Sequence, residues 1–138
     1  MLAAKDLLLE GEQFIGDYHV EIARWKDGIW SAMIPPLYAI ITDRRLILQP
    51  HSRKHHEPAV IPARYITKIQ EFTYQFRHGI IMHLTTGQRL AIFIPNLKRG
   101  EILQNIRTIT VPSKKSERQE IQLDLGSLKK LIDYVSGL

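Results

Sequence analysis

Ile80, Met82 and Leu84 alternate with Ile81 and His83; Thr86-Gly87 interrupts the pattern, and Leu90, Ile92 and Ile94 resume the same spacing. A period of two puts each triplet on one side of an extended chain, and the Thr-Gly pair supplies the turn between them. This stretch is confined to an antiparallel hairpin with one buried face. Upstream, Phe72, Tyr74 and Phe76 alternate with Glu71, Thr73, Gln75 and Arg77. That spacing predicts a strand that buries its aromatic face, with His78-Gly79 turning the chain. Near the start, Phe14, Tyr18, Val20 and Ile22 share one parity, against Asp17, His19 and Glu21. A strand with one wet face follows, although Phe14, Tyr18 and Ile22 alone also fit one face of a helix.

Two apolar runs, 37–41 and 46–50, flank Thr42-Asp43-Arg44-Arg45. Four-residue hairpin loops are usually built on a type I turn, in which Asp or Thr can bond nearby backbone. Residues 59–62 predict a short strand, with Ile66 and Ile69 pointing inward after it. Residues 24–36, RWKDGIWSAMIPP, read as a loop, because Asp27-Gly28 signals a turn and Pro35-Pro36 blocks pairing. Residues 51–58, HSRKHHEP, read as a polar loop, and residues 4–10 as a short helix or turn.

The pattern then changes. Ile102, Leu103, Ile106 and Ile109 recur at helical spacing, so a helix over about 97–110, capped by Asn96, is expected. Residues 112–120 are charged and lack apolar anchors, as a linker does. Ile121, Leu123 and Leu125 suggest a short extended piece. Leu128, Leu131, Ile132 and Val135, after a possible Ser127 cap, predict a last amphipathic helix. Strands followed by a helix imply a small antiparallel barrel or bent sandwich closed by that helix. The expected division is 1–111 for this domain and 112–138 for the linker and final helix.

With 138 residues, one domain can bury roughly 70% of its unfolded surface. There is no cysteine, hence no disulfide framework and no thiolate metal site. The opening MLAAKDLLLEGE does not have the pattern of a secretory signal, and the longest uncharged stretch, Gly28 to Thr42, is too short to span a bilayer. The expected location is cytoplasmic, with peripheral membrane association left open. Charge is uneven: residues 1–34 have three basic and six acidic groups, and residues 35–115 have thirteen basic and four acidic groups. A basic middle favours anionic partners, or an acidic N-terminal segment lying against it.

Leu37-Tyr38-Ala39-Ile40-Ile41-Thr42-Asp43-Arg44-Arg45-Leu46-Ile47-Leu48 resembles the central hairpin of GRAM and bacterial PH-like domains. Leu9-Glu10-Gly11-Glu12 is similar to their first-strand entry, and Ile61-Pro62 with Ile66 and Ile69 to their following segment. Leu84-Thr85-Thr86-Gly87 and Ile92-Phe93-Ile94 resemble the closing hairpin, and the helix around Glu101 the terminal helix. The resemblance spans about residues 7–110 and implies a PH-like barrel used for binding, with no catalytic site. The basic motif of inositide-binding PH domains is not reproduced in Arg24-Trp25-Lys26-Asp27-Gly28-Ile29-Trp30, so protein association ranks above lipid.

Arg44, Arg45, Arg53, Lys54, Lys98 and Arg99 are candidate anion contacts, since guanidinium groups can hold phosphate in two bonds; Arg44 and Arg45 are also explained as solvators of a turn. His51, His55, His56 and Glu57 have metal-ligand chemistry, but Arg53 and Lys54 among them repel a cation. No metal and no cofactor are expected. Phe72, Tyr74 and Phe76 could stack bases, but their alternation more simply buries a face. No glycine-rich phosphate loop or nucleophile elbow is present, so no enzyme activity is expected. Trp25, Ile29, Trp30, Met33 and Ile34 make the 24–36 segment unusually apolar: they fold back onto the barrel, or they meet a partner or a bilayer interface. The expectation is a binding module for a protein, another copy of itself included, or for an anionic membrane surface; the alternative is a small barrel that binds nucleic acid through its basic middle.

Overall fold

The computed structural model describes residues 8–33, 36–50, 58–110 and 125–136, with side chains 126–132 in the last segment. Ile34, the His51–Glu57 loop with Arg53 and Lys54, the 112–120 segment, Ile121, Leu123 and the Val135 side chain lie outside the described residues. Eight strands run in chain order: β1 (Phe14–Lys26), β2 (Ile29–Ala32), β3 (Leu37–Thr42), β4 (Arg45–Pro50), β5 (Ala59–Pro62), β6 (Ile66–Tyr74), β7 (Arg77–Leu84) and β8 (Arg89–Ile94). Helices α1 (Arg99–Thr110) and α2 (Leu125–Ser136) follow.

All pairings are antiparallel, in the order β5-β4-β3-β1-β8-β7-β6, with β2 also on β1. The long β1 serves both halves. Its first part pairs with β3 and its later part with β8 and β2, so the sheet folds over on itself. It does not close, because β5 and β6 remain its edges. A 3-10 turn, Ala63–Tyr65, joins those edges, and its backbone is tied to both halves by Ala63 N–H to Arg44 O at 2.9 Å and Thr85 N–H to Tyr65 O at 2.9 Å. The expected bent sandwich with a helix is therefore what the chain forms.

The alternating positions meet inside. Val20, Ile22, Leu37, Ile41, Leu46, Leu48, Ile61, Ile80, Met82 and Ile92 form one cluster with Ile102, Leu103, Ile106 and Ile109 of α1. Leu128 and Leu131 of α2 join the same cluster, so the last helix covers its apolar stripe on its own domain. Each such aliphatic side chain contributes about 1.5–3 kcal/mol when fully buried.

Several local expectations are corrected. Residues 24–36 are not a loop: β1 continues to Lys26, and β2 returns from Ile29. Asp27 at φ 54° and Gly28 at φ 79° provide the two left-handed residues of a tight hairpin turn. Arg24 and Lys26 hid this strand by interrupting the apolar alternation. His78-Gly79 does not turn the chain either; both lie in β7. The turn falls at Gln75 (φ 49°) and Phe76 (φ 67°), so Phe76 is outside the strand and exposed. Asn96 caps no helix with its side chain, and Ser127 lies inside α2 rather than at its start.

Candidate functional site: an aromatic arm over the outer sheet face

Register fixes which residues share a face. Phe72, Gly79, Phe93 and Glu21 lie opposite one another across β6, β7, β8 and β1. One step along is the row Glu71, Ile80, Ile92 and Ile22, whose three isoleucines enter the core. Phe72 therefore faces outward, away from the main core, and is partly buried there beneath Trp30. Polar Glu71 sits on the inner parity because that end of the sheet meets α1, where Arg99 Nη1 holds it at 3.1 Å and Arg107 Nη2 at 3.9 Å.

The β1–β2 hairpin covers this outer face as an arm. Trp25 and Trp30 are cross-strand partners with ring centroids 5.2 Å apart. Trp30 stacks on Phe72 at 4.4 Å with planes 23° apart, and Phe72 reaches Phe93 at 5.7 Å. The Arg77 guanidinium lies 4.2 Å from the Phe93 ring centre and also bonds Glu21. The strands beneath present small residues outward, Gly79, Ala91 and Ala23, which leave room for the rings. The rings thus form a continuous chain of contacts, stacked at Trp30–Phe72 and tilted at its two ends, and anchored by a cation–π contact.

Part of the arm stays uncovered. Trp25 and Ile29 are each 56% exposed. A cleft of about 750 Å³ opens beside them, walled by Trp25, Trp30, Met33, Ala91 and Ile132, with Arg24 and Arg89 also lining it. The structure brings Trp25, Trp30 and Met33 to one cleft, while Ile29 stands at the arm's tip. Met33 also packs against the core.

The arginines of the β3–β4 turn are employed internally. Arg45 is 7% exposed and holds Glu12 with two bonds, Nε to Oε2 at 2.8 Å and Nη2 to Oε1 at 2.8 Å. Thr42 Oγ1 donates to the same carboxylate at 2.6 Å, and Leu9 N–H at 2.9 Å. Burial pushes the Glu12 carboxyl up, but those hydrogen bonds and the Arg45 charge outweigh it and hold the group below its ordinary value. Arg45 is therefore corrected from a candidate anion contact to a structural tie. Arg44 Nη2 donates to Gly11 O at 3.3 Å, and its Nε lies 4.0 Å from Asp43. Lys98 and Arg99 are exposed where β8 passes into α1.

A second polar cluster joins β1 to α1. Tyr18 donates to Glu101 Oε2 at 2.5 Å and accepts from Asn105 Nδ2 at 2.8 Å. Burial, then the Glu101 carboxylate, pushes the Tyr18 hydroxyl up to about 12. This is a clamp between elements, with Tyr18 lying over Gly16.

Phe93, Arg77 and Arg89 are site residues that sequence reasoning did not pick out, and Phe72 enters it only as a base-stacking candidate. The available signal was the set of small residues, Ala23, Gly79 and Ala91, at outward positions of long strands. Among the described residues no group of three or more His, Asp or Glu comes together as a metal site, and no helix is long and apolar enough to cross a membrane. Comparison with known protein families finds no match for this chain, and neither does comparison with characterised proteins.

Proposed function

We propose that this chain is a PH-like, non-catalytic docking domain, and that its aromatic arm receives an apolar segment of a protein partner, a second copy of the chain included. One observation carries the reading: Trp25 and Ile29 are more than half exposed on an arm whose other tryptophan is already stacked in place. A rigid aromatic anchor loses little conformational freedom on binding, and such anchors commonly dominate interface energy. The neighbouring cleft offers a socket for a partner side chain.

The test is selection of displayed peptides on the folded domain, with light scattering over a concentration series. Peptides bearing a large apolar residue should be enriched, or concentration-dependent dimers should form. Trp25→Ser should abolish either effect without altering the urea melt. A wild-type protein that stays monomeric and enriches no peptide would reject the reading.

A second reading has its own observation. Arg24 and Arg89 line the same cleft as the two tryptophans, an arrangement that suits a stacked base and its phosphate. Binding of single-stranded oligonucleotides that weakens steeply with salt would favour it.

A further inference from the structure

The cleft beside the aromatic arm does not end at the arm. A second hollow of about 570 Å³ lies between β8 and α2, and it shares Arg89, Leu90 and Ile132 with the first. The two make one groove with Arg89 at the junction. Its walls are largely apolar: Ile22, Trp30 and Met33 in the first hollow, Leu84 and Leu128 in the second. The charge along it has one sign. Arg24 and Arg89 line it, Lys129 stands on the α2 side, and among the described residues no Asp or Glu lines either hollow. Arg24 and Arg89 are exposed, and among the described residues neither holds a carboxylate. Arg45, Arg77 and Arg99, by contrast, are taken by Glu12, Glu21 and Glu71.

We infer that the segment this groove receives is acidic as well as apolar: an extended stretch of a partner protein that seats large apolar side chains in the two hollows and sets Asp or Glu against Arg89 and Arg24. The inference rests on the docking function proposed above and names the chemistry of the partner. A segment that covers the groove strips water from both guanidinium groups. A wholly apolar occupant would leave them desolvated and unpaired, which opposes binding. A carboxylate removes that cost, because it can accept two parallel hydrogen bonds from one guanidinium. The groove has no acid of its own to offer, so the partner has to bring one. An oligonucleotide also brings anions, but the aliphatic side chains of Ile22, Met33, Leu84 and Leu128 give the polar edges of a base no hydrogen-bond partner. Those walls match Leu, Ile or Phe side chains instead.

The experiment is selection of random displayed peptides on the full chain, followed by synthesis of the enriched sequences with each acid either kept or replaced by Asn or Gln. Enriched peptides should combine large apolar residues with Asp or Glu. Their neutral versions should bind about tenfold more weakly, the loss expected from removing a charge-assisted hydrogen bond. Arg89→Gln should impose a similar loss on the acidic peptide and little on its neutral version, with an unchanged urea melt. Lys98→Gln removes the same charge where β8 passes into α1, and it should alter neither affinity. Arg89→Glu should come to prefer versions carrying Lys in place of the acids, a reversal that general attraction to a basic protein would not produce. Enriched peptides that lack acids, or that bind equally well once neutralised, would overturn the inference; the docking function would stand if Trp25→Ser still abolished their binding. Dimers formed without peptide enrichment would overturn the inference alone, in favour of a second copy as occupant. Salt-sensitive binding of single-stranded oligonucleotides without peptide enrichment would overturn it in favour of base stacking. With neither peptides nor dimers, the docking function falls and this inference with it.

Discussion

The ring of Phe72 lies directly over the α-carbon of Gly79, so closely that a Cβ at position 79 would stand 2.2 Å from Phe72 Cζ. Glycine in the middle of a strand normally weakens it, but here its missing side chain is the seat of the aromatic stack. Gly79→Ala should displace Phe72, break its stack on Trp30 and destabilise the domain by ~1–3 kcal/mol, as overpacking does. Tryptophan fluorescence and urea melts would measure both effects. Phe72→Leu in the same chain should restore part of the loss; no change in either signal would mean that the ring moves aside freely.

The Glu12–Arg45 pair is buried and fully bonded, so removing one partner should hurt more than removing both. Arg45→Met should lower stability by ~3–5 kcal/mol, because the Glu12 carboxylate is left without its charge partner. The double variant Glu12→Gln/Arg45→Met should lose less. A double-mutant cycle with additive losses would show that the pair is not coupled.

Glu12 also predicts a pH effect. Its folded-state value lies below the ordinary 4.5, so its contribution is complete above that pH and is lost as pH falls through the lowered value. Acid titration of stability should therefore be flatter in Glu12→Gln than in wild type at the acid end. Parallel curves for the two proteins would contradict this.

Tyr18 gives the opposite limb. With its hydroxyl pushed up to about 12 from 10.0, its contribution is complete below pH 10 and declines as pH rises through the folded value. Ultraviolet absorbance should show one late-titrating tyrosinate. Glu101→Gln should bring it down, but not fully to 10.0, because burial, the larger cause, remains.

Ile106 is 1% exposed on the stripe by which α1 enters the core. Ile106→Ala should cost ~2–5 kcal/mol in urea melts. A loss within experimental error would mean that α1 does not close the sheet.

Much of the architecture was readable from alternation alone. Ile80, Met82 and Leu84, with Leu90, Ile92 and Ile94, face the core as their period requires, and Ile102, Leu103, Ile106 and Ile109 form the helical stripe. These assignments succeed because period and burial are local properties of a segment facing one core. The candidate site was less readable. Trp25, Ile29, Trp30 and Met33 stood out by composition, but whether they folded back depended on the Ala91 and Gly79 surface, which belongs to other strands. Phe72 has the same alternation whichever side it faces; only its pairing with Gly79 in β7 decides that it points outward, since one step of register exchanges the two faces. Arg45 and Glu12 are 33 positions apart, so nothing near the β3–β4 turn announces that its arginine is already taken. Period and turn chemistry are written along the chain, whereas the partners of Trp30, Phe72 and Arg45 exist only once distant strands are brought side by side.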